Sequence, residues 1–274
     1  DLEPGLIRSA SLGIAGGHLD PAALVDGALG VDRVRRAGLE RELRGGGGDQ
    51  FFGNVALLLH CDGTHGTRVY VDSSSYARTL TETGTNSLSN VQKKFGPTSA
   101  FFNDGAIQVP DSPSMELGSG PWCIEWWQWS ASGMGGILCK YFSATPVSPV
   151  PIAIRGTGGA GSERVQVRIS SDGVTYGFDQ EFPSSGGGAW ALNVWTHIAV
   201  VFDGSAITVY SNGVSQGSAA CSTAVRTTGD ELQIGRDKSS GGYMNGYLDD
   251  IRVTIGVPRY TAAFTPPSKA FPDS

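Results

Sequence analysis

The sequence is poor in charged side chains and has no long uninterrupted apolar run. Asp, Glu, Lys and Arg make up 17% of its 274 residues and hydrophobic residues 39%, which is enough apolar material for a folded core. No apolar run approaches the roughly 18 residues that a transmembrane helix needs. The net charge of −6 excludes a globally basic surface. We therefore expect no nucleic acid partner and no membrane insertion.

Cysteine is also scarce. The four cysteines, Cys61, Cys123, Cys139 and Cys221, form no C-x-x-C pair, and no histidine stands at zinc-finger spacing. This pattern argues against a structural zinc site. Each cysteine lies in or beside an apolar segment, which predicts four buried thiols in preference to disulfides. Only Cys123 and Cys139 could lie on neighbouring strands and form a bridge.

Glycine and proline, by contrast, are abundant, with 40 and 14 residues, and they divide the chain into two parts. Residues 1–50 hold two short stretches rich in Ala, Leu, Val and Arg and end in a GGGG run at 45–48, which predicts a partly helical arm with a flexible joint. No signal peptide pattern follows Asp1, so we expect an internal start or a trimmed N-terminus. Residues 51–274 carry the strand pattern of one β-domain.

That pattern consists of short segments rich in Val, Ile, Phe, Tyr and Trp between clusters of Gly, Ser, Asn and Asp. Without crossover helices the strands must pair antiparallel, and their number predicts two packed sheets. The Asn212-Gly213 pair predicts a tight hairpin turn. The predicted strands are 55–60, 67–72, 99–103, 106–109, 122–129, 136–142, 151–155, 164–170, 174–179, 195–202, 206–211, 232–235 and 247–253.

The segment WCIEWWQW at 122–129 has large side chains on both faces. Strand alternation places Glu125 on the same face as Trp127 and Trp129. We therefore expect a central strand covered on both sides, and a hydrogen-bond partner for Glu125. The opposite face carries Trp122, Ile124 and Trp126.

Several motifs, in this order, resemble one known family. They are LLLHCDGTHGT, VDSS, KFGPTSAFFNDGAIQVP, WCIEWWQW, NVWTHIAVVFDGSAITVYSNG, LQIGR and GYMNGYLDDIRVTIGVPRYTAAFTPP. Together they are similar to the laminin-G-like jelly roll of the concanavalin A-like superfamily, in the version found in bacteriophage virion and tail-fibre proteins. The resemblance covers about residues 54–272 and implies an all-β, two-sheet antiparallel sandwich with a short arm before it.

The same superfamily contains glucanases, so an enzymatic function has to be weighed. Its hydrolases usually supply catalytic carboxylates from one strand, and here the best strand offers only Glu125. Asp249 and Asp250 are adjacent, so alternation predicts that they point to opposite faces. His197 has no evident nucleophile elbow and is predicted to be a half-buried strand residue. We therefore expect no enzymatic activity.

The resemblance also suggests a calcium ion at the rim of the sandwich. Its candidate ligands are Asp62 and either Asp249 or Asp250, with Asp72 and Asp104 as weaker candidates. The alternative is that Asp62 caps a turn and that one of the tandem aspartates bonds to loop amides. No EF-hand-like loop favours calcium.

Carbohydrate binding is common in this fold, where rim aromatics stack on sugar faces. The candidate glycan-binding residues are Trp190 and Tyr243, which lie in glycine-rich loops, with Tyr141 and Tyr176 as further candidates. The alternative for each is a side chain that packs down its own loop.

These expectations combine into one function. The resemblance implies a non-enzymatic virion protein, assembled in the host cytoplasm and exposed on the particle, for host-surface glycan attachment or particle decoration. Residues 1–50 would bind other virion proteins, and a homo-oligomer such as a trimer is expected. The alternatives are a secreted or cell-surface bacterial carbohydrate-binding module, and a structural cement of the capsid without a ligand.

Overall fold

The computed structural model describes residues 48–132, 135–140, 149–238 and 242–274. The chain divides into two units, Asp1–Gly47 and Gly48–Ser274, and the first of these lies outside the described residues, as does Tyr141. The strands of the second unit are β1 (Val55–Leu59), β2 (Thr81–Gly84), β3 (Ser87–Ser89), β4 (Ser99–Phe102), β5 (Gly105–Val109), β6 (Trp122–Trp129), β7 (Gly136–Lys140), β8 (Ile152–Thr157), β9 (Arg164–Ile169), β10 (Phe178–Phe182), β11 (Thr196–Phe202), β12 (Ala206–Ser211), β13 (Val214–Ala220), β14 (Leu232–Ile234), β15 (Arg236–Asp237), β16 (Gly242–Tyr243) and β17 (Gly246–Ile255).

Two large antiparallel sheets form a sandwich. The first sheet has the order β13-β12-β11-β6-β17-β4-β3, with β1 also paired to β17. The second has the order β10-β9-β8-β7-β14-β5-β2. Helix is limited, in the described part, to two short 3-10 turns at Phe52–Asn54 and Pro113–Met115. The predicted all-β, two-sheet jelly roll is therefore confirmed.

The core lies between the sheets and is built from the alternating inward side chains of both. On β6 these are Trp122, Ile124 and Trp126, which are at most 1% exposed. On the second sheet Ile154 and Val167 are completely buried and belong to the same cluster. Large aromatics bury the most area per residue, so the inward face of β6 contributes strongly to the core. The prediction that Trp122, Ile124 and Trp126 share one face of this strand is therefore confirmed, and that face points into the core.

β17 is the longest strand and contains a bulge. Asp249 pairs with Trp127 and Arg252 pairs with Glu125, so the register shifts between them. Asp250 lies inside the bulge with a φ of 50°, in the left-handed region. The bulge also marks where the neighbour of β17 changes, from β4 before it to β1 after it.

The strands differ from the prediction in several places. The observed strands β2, β3, β13, β15 and β16 were not among the predicted ones. Segment 67–72 is not a strand, since it makes only an isolated bridge between Val71 and Thr79. The strand predicted at 174–179 begins at Phe178, because the Asp172 carboxylate accepts the amides of Val174 and Thr175 and closes a turn there. In the described part of the chain, no helix is long and apolar enough to cross a bilayer.

The predicted hairpin turn and the predicted buried thiols can also be compared with the structure. Asn212 and Gly213 both have positive φ, 46° and 77°, which confirms the predicted tight turn. All four described cysteines are buried and free, as predicted. The suggested Cys123–Cys139 pair is wrong, because Cys123 lies on the first sheet and Cys139 on the second.

Candidate functional site

One half of the first sheet's outer face is covered by residues 256–274, which we call the tail segment. Tyr260 and Phe264 stack with ring centroids 3.6 Å apart, and both pack against Tyr210 on β12. Phe271 packs farther along, against the start of β1. These rings exclude water from the strands beneath them.

Glu125 lies under the tail segment and is completely buried. Arg252 donates from Nε and Nη2 to its Oε1 at 3.0 and 2.8 Å. The Tyr260 hydroxyl donates to Oε2 at 2.8 Å, and His197 Nε2 lies 3.2 Å from the same oxygen. The predicted need of Glu125 for partners is confirmed, whereas His197 is fully buried where half-burial was expected.

Asp49 completes the charged cluster. It accepts from Arg252 Nη1 at 3.0 Å and from Arg259 Nη1 at 2.9 Å. Burial would raise the pKa of Glu125, but Arg252, His197 and Arg259 lower it to about 2. Glu125 is thus an ionised carboxylate whose oxygens are occupied. A cleft of about 480 Å³ opens beside the cluster, lined by Gly48, Asp49, Gln50, Arg252, Arg259, Pro267, Ala270, Phe271 and Pro272.

Asp249 and Asp250 do not point to opposite faces, so that expectation is wrong. The bulge in β17 breaks the alternation: Leu248 and Ile251 both lie in the inter-sheet core, and the two aspartates between them lie outside it. Burial, together with the nearby carboxylates of Asp250 and Asp62, raises the pKa of Asp249 to about 7 although the Phe95 and Lys94 amides act to lower it. Asp249 Oδ1 is buried without a hydrogen-bond partner.

Three of the four carboxylate oxygens of Asp249 and Asp250 are engaged in hydrogen bonds within the protein. Asp250 uses both oxygens, with His60 Nδ1 and the Phe271 amide each at 2.6 Å. One oxygen of Asp249 already accepts the Lys94 and Phe95 amides, at 2.8 and 3.1 Å. Calcium takes about six to eight oxygens. Among the described residues, no three His, Cys, Asp or Glu side chains are grouped to hold a metal.

Of the remaining calcium candidates, Asp72 serves a local turn, and Asp62 and Asp104 are exposed. Asp72 accepts the amides of Leu58 and Ser74, at 3.2 and 3.0 Å. Asp62 is exposed and lies against Gly96, where a Cβ would collide with its carboxylate. Asp104 is exposed after β4. The amide bonds of Asp249 and Asp250 follow the hydrogen-bonding alternative for the tandem aspartates, and calcium stays a prediction of the resemblance.

The other end of the same outer face carries three aromatic side chains that the described residues leave partly exposed. Tyr247 on β17 pairs with Phe101 on β4 and with Trp129 on β6. The ring centroids are 4.9 Å apart for Phe101 and Tyr247 and 5.5 Å apart for Tyr247 and Trp129. All three side chains are half-buried. We call this set the aromatic row.

Polar groups border the aromatic row on two sides. Asn103 and Asn245 are exposed at the adjoining ends of β4 and β17. On the other side, Lys94 Nζ lies 3.8 Å from the centroid of Trp127, the residue two before Trp129 on β6. The Asp249 carboxylate accepts the Lys94 amide and so fixes the backbone that carries this lysine. Solvent-facing rings beside amides offer a stacking surface and hydrogen bonds together, which is what a sugar ring requires.

The predicted glycan residues lie elsewhere. Trp190 is 4% exposed and packs in the inter-sheet core, so its ring has no face for a sugar. Tyr243 is half-buried on β16 with the Arg236 guanidinium 4.8 Å from its ring centroid. Tyr176 is half-buried and its hydroxyl accepts the Val150 amide at 3.3 Å. These placements follow the alternative of packing near the residue's own loop.

Sequence reasoning missed the aromatic row, although it placed Trp129 on the Glu125 face. The expectation was that β6 would be covered on both sides over its whole length. In fact Tyr260 of the tail segment covers Glu125, and Lys94 and Phe95 cover Trp127, while Trp129 stays half-buried beside Tyr247. No local signal in the sequence shows where the tail segment and residues 94–95 come to lie, so Phe101 and Tyr247 looked like ordinary strand residues.

A family model described as the concanavalin A-like lectin/glucanases superfamily, of laminin G type, matches residues 101–256, more than half of the chain. No curated protein sequence matches the chain significantly. Among solved structures, domain 4 of AbnA, a GH43 extracellular arabinanase from Geobacillus stearothermophilus in complex with arabinotriose, is similar. It is 19% identical, with 75% of this chain and 94% of that chain covered and a TM-score of 0.54.

Two toxin domains are similar as well. The binding domain of Paraclostridial Mosquitocidal Protein 1 is 12% identical over 79% of this chain and 51% of its own, with a TM-score of 0.53. The binding domain of botulinum neurotoxin DC, in complex with rat synaptotagmin II, is 13% identical over 81% and 50%, with a TM-score of 0.52. The chain thus spans about half of each toxin domain. At these identities the similarity shows the fold alone.

Proposed function

The chain belongs to the concanavalin A-like lectin/glucanase superfamily, and from that premise we propose that it is a non-enzymatic carbohydrate-binding domain. Its binding surface is the uncovered end of the first sheet's outer face. The observation that carries the proposal is the aromatic row, where Phe101, Tyr247 and Trp129 stand side by side on three strands.

The row suits a glycan for two physical reasons. Its rings are fixed by cross-strand contacts at 4.9 and 5.5 Å, so little side-chain freedom is lost when a sugar stacks on them. Exposed Asn103 and Asn245 can bond hydroxyl groups that point away from the stacked face. The ligand would be a neutral or weakly charged oligosaccharide that lies across the strands.

The state of the carboxylates supports a binding role over hydrolysis. A glycosidase needs two carboxyl groups that reach the substrate. Glu125 is completely buried, and Arg252 and Tyr260 occupy both of its oxygens. Asp249 and Asp250 are at most 1% exposed and bond to amides.

We place this domain on a bacteriophage particle, as a tail fibre, tail tip or capsid decoration that attaches to host-surface glycans. The motif resemblance supports this placement, and residues 1–50 would join the domain to other virion proteins in a homo-oligomer such as a trimer. The alternative is a secreted or cell-surface bacterial module. The similarity to a domain of an extracellular arabinanase favours that alternative.

The binding proposal is tested on an array of immobilised bacterial capsular polysaccharides, lipopolysaccharides and arabinan. We expect wild type to bind at least one glycan, and Trp129→Ala to weaken that binding about tenfold through loss of one stacking ring. Val214→Ala is the control, since Val214 is 61% exposed on β13, outside the row. Absence of binding by wild type, or equal binding by Trp129→Ala, would reject the proposal.

Mass spectrometry of phage particles purified from a culture that expresses the gene distinguishes a virion protein from a secreted or cell-surface bacterial module. Stoichiometric recovery of the chain with capsid and tail proteins supports the virion setting. Recovery only in the culture medium or on the bacterial surface supports the alternative.

A further inference from the structure

One positive charge beside the aromatic row lies on aromatic rings and has no carboxylate of the described residues at ion-pair distance. The ammonium of Lys94 lies 3.8 Å from the ring centroid of Trp127 and 5.5 Å from that of Phe95. By contrast, buried Lys140 bonds two carboxylates. The Lys94 side chain is half-buried, so part of it remains in contact with solvent. A ligand with a negative charge can therefore pair with it.

Lys94 is fixed next to the aromatic row along two strands. Asp249 Oδ2 accepts its amide at 2.8 Å. Asp249 pairs with Trp127, and Tyr247 pairs with Trp129, so Lys94 contacts the residue pair that follows the row on β17 and β6. The bulge in β17 begins only after Asp249, and strands rise about 3.3 Å per residue, so the two pairs lie about 7 Å apart on one face. A sugar on Tyr247 and Trp129 thus extends a substituent along the strands toward Lys94.

The charges at the two borders of the row differ. At the far border, Asn103 is followed by the exposed acid Asp104. At the near border, the acid that acts electrostatically on Lys94 is Asp249. Burial and neighbouring carboxylates raise the pKa of Asp249 to about 7, so in mildly acidic solution its carboxyl is mostly protonated and does not neutralise Lys94. A negative group on the ligand is therefore favoured beside Lys94 and disfavoured at the opposite border.

We propose that the aromatic row binds an acidic oligosaccharide, in which one sugar ring stacks on Tyr247 and Trp129 while its carboxylate pairs with Lys94. The inference rests on the proposed function and narrows its ligand class to uronate-containing glycans. The ammonium already lies on Trp127, so a carboxylate reaches it from the solvent side and little further ordering is lost. The rings then supply the stacking surface, and Lys94 selects the charge. A sulfate ester would offer the same charge, and the test separates the two.

The test is a series of calorimetric titrations of the full chain at pH 6. Hexamers from polygalacturonate, alginate and hyaluronan are each compared with their carboxyl methyl esters, which keep the sugar rings and lose the charge. Carrageenan hexamers carry sulfate without carboxylate, and cellohexaose and arabinotriose are neutral. We expect at least one uronate hexamer to bind about tenfold more tightly than its ester, with a smaller difference at high salt.

Variants test whether Lys94 causes this preference. Lys94→Gln should bind the acid and its ester equally, whereas Lys94→Arg should keep the preference. Trp129→Ala should weaken both ligands about tenfold. Lys269→Gln is the matched control, because exposed Lys269 carries the same charge on the tail segment and lies outside the row. Near-ultraviolet circular dichroism, which reports on tryptophan packing, checks that the Lys94 variants keep the native fold.

The outcomes separate this inference from the proposed function. If the array yields a neutral ligand and no uronate hexamer is preferred to its ester, the acidic ligand is overturned and the proposed function stands. A preference that survives in Lys94→Gln, or selection of carrageenan alone, overturns the pairing of Lys94 with a carboxylate. Acid binding that Trp129→Ala leaves unchanged removes the aromatic row and overturns both proposals. If neither the array nor the titrations show binding, both fail as well.

Discussion

The outer face of the first sheet has two ends, and the same strands run through both. At one end the tail segment covers Glu125 and Arg252, Lys94 and Phe95 cover Trp127, and the charges of the buried cluster are paired. At the other end Trp129 and Tyr247 are half-buried with nothing from the described residues laid over them. Strand register alone makes the two ends equivalent. A segment far away in sequence decides which becomes core and which remains available to a ligand.

The largest expected effect comes from breaking the charge cluster at the covered end. Arg252→Ala leaves Glu125 buried without its main partner, which should lower the free energy of unfolding by about 3–5 kcal/mol. Urea denaturation measures this. The matched control is Arg164→Ala, because Arg164 and Glu181 form a partly exposed pair at 3.0 Å, for which we expect about 0–1 kcal/mol. If both variants lose the same free energy of unfolding, the charge cluster around Glu125 is not shielded from solvent as the structure indicates.

A sharper comparison uses two tryptophans on one face of one strand. Trp127 is 4% exposed and lies between Phe95 and His197, so Trp127→Ala should cost about 3–5 kcal/mol. Half-buried Trp129 should cost less, about 1–2 kcal/mol on substitution by Ala, because part of its surface is already wet. Thermal and urea unfolding measure both. If Trp129→Ala loses more free energy of unfolding than Trp127→Ala, then Trp129 does not lie at the solvent-exposed end of the face.

A smaller effect, with a defined pH window, comes from Asp249. Its pKa is raised from 3.8 to about 7 by burial, so between those pH values the unfolded chain loses this proton while the native state keeps it. Native stability therefore falls as the pH rises through that window. Asp249→Asn stays neutral and should be more stable than wild type by about 1–2 kcal/mol near pH 8, with the gain lost below about pH 4.

Calorimetry of both proteins across the pH range checks this sign. A gain for Asp249→Asn that is the same at both pH values would mean that the wild-type carboxyl is not shifted. The same measurements on Asp179→Asn provide a control, since that side chain is 40% exposed on the second sheet.

The smallest expected effect is that of metal removal. Because both oxygens of Asp250 are bonded and one oxygen of Asp249 already accepts two amides, excess EDTA should leave the melting temperature unchanged. Differential scanning calorimetry with EDTA and with millimolar calcium makes the measurement. A rise of several degrees with calcium would restore the metal site that the resemblance implies.

Much of the sandwich could be predicted from local patterns. Period-two alternation in WCIEWWQW correctly separated Trp126 from Glu125, and the isolated acid among apolar neighbours correctly required a partner. The Asn212-Gly213 turn followed from the positive φ that only a few residues tolerate. These features depend on neighbours along the chain, so the sequence carries them directly.

Other features depend on contacts between distant segments and were missed or misplaced. The bulge at Asp250 is stabilised by His60 and the Phe271 amide, 190 and 21 residues away, and it put both aspartates on one side. Trp190 was expected at a rim because its flanks are rich in glycine, but the core takes its ring. Gly213 is required for the hairpin turn and also for the packing of the tail segment, because a Cβ at this position would collide with the Phe264 carbonyl.

The sequence by itself determined the all-β class, the two-sheet architecture, the four buried thiols and the inward face of the central strand, because periodicity and turn residues act locally. Only the tertiary structure decided which outward aromatics stay open. The tail segment lies over Glu125, and Lys94 and Phe95 lie over Trp127, whereas Trp129 stays half-buried. Their positions result from the packing of the whole sandwich, which no single stretch of sequence encodes.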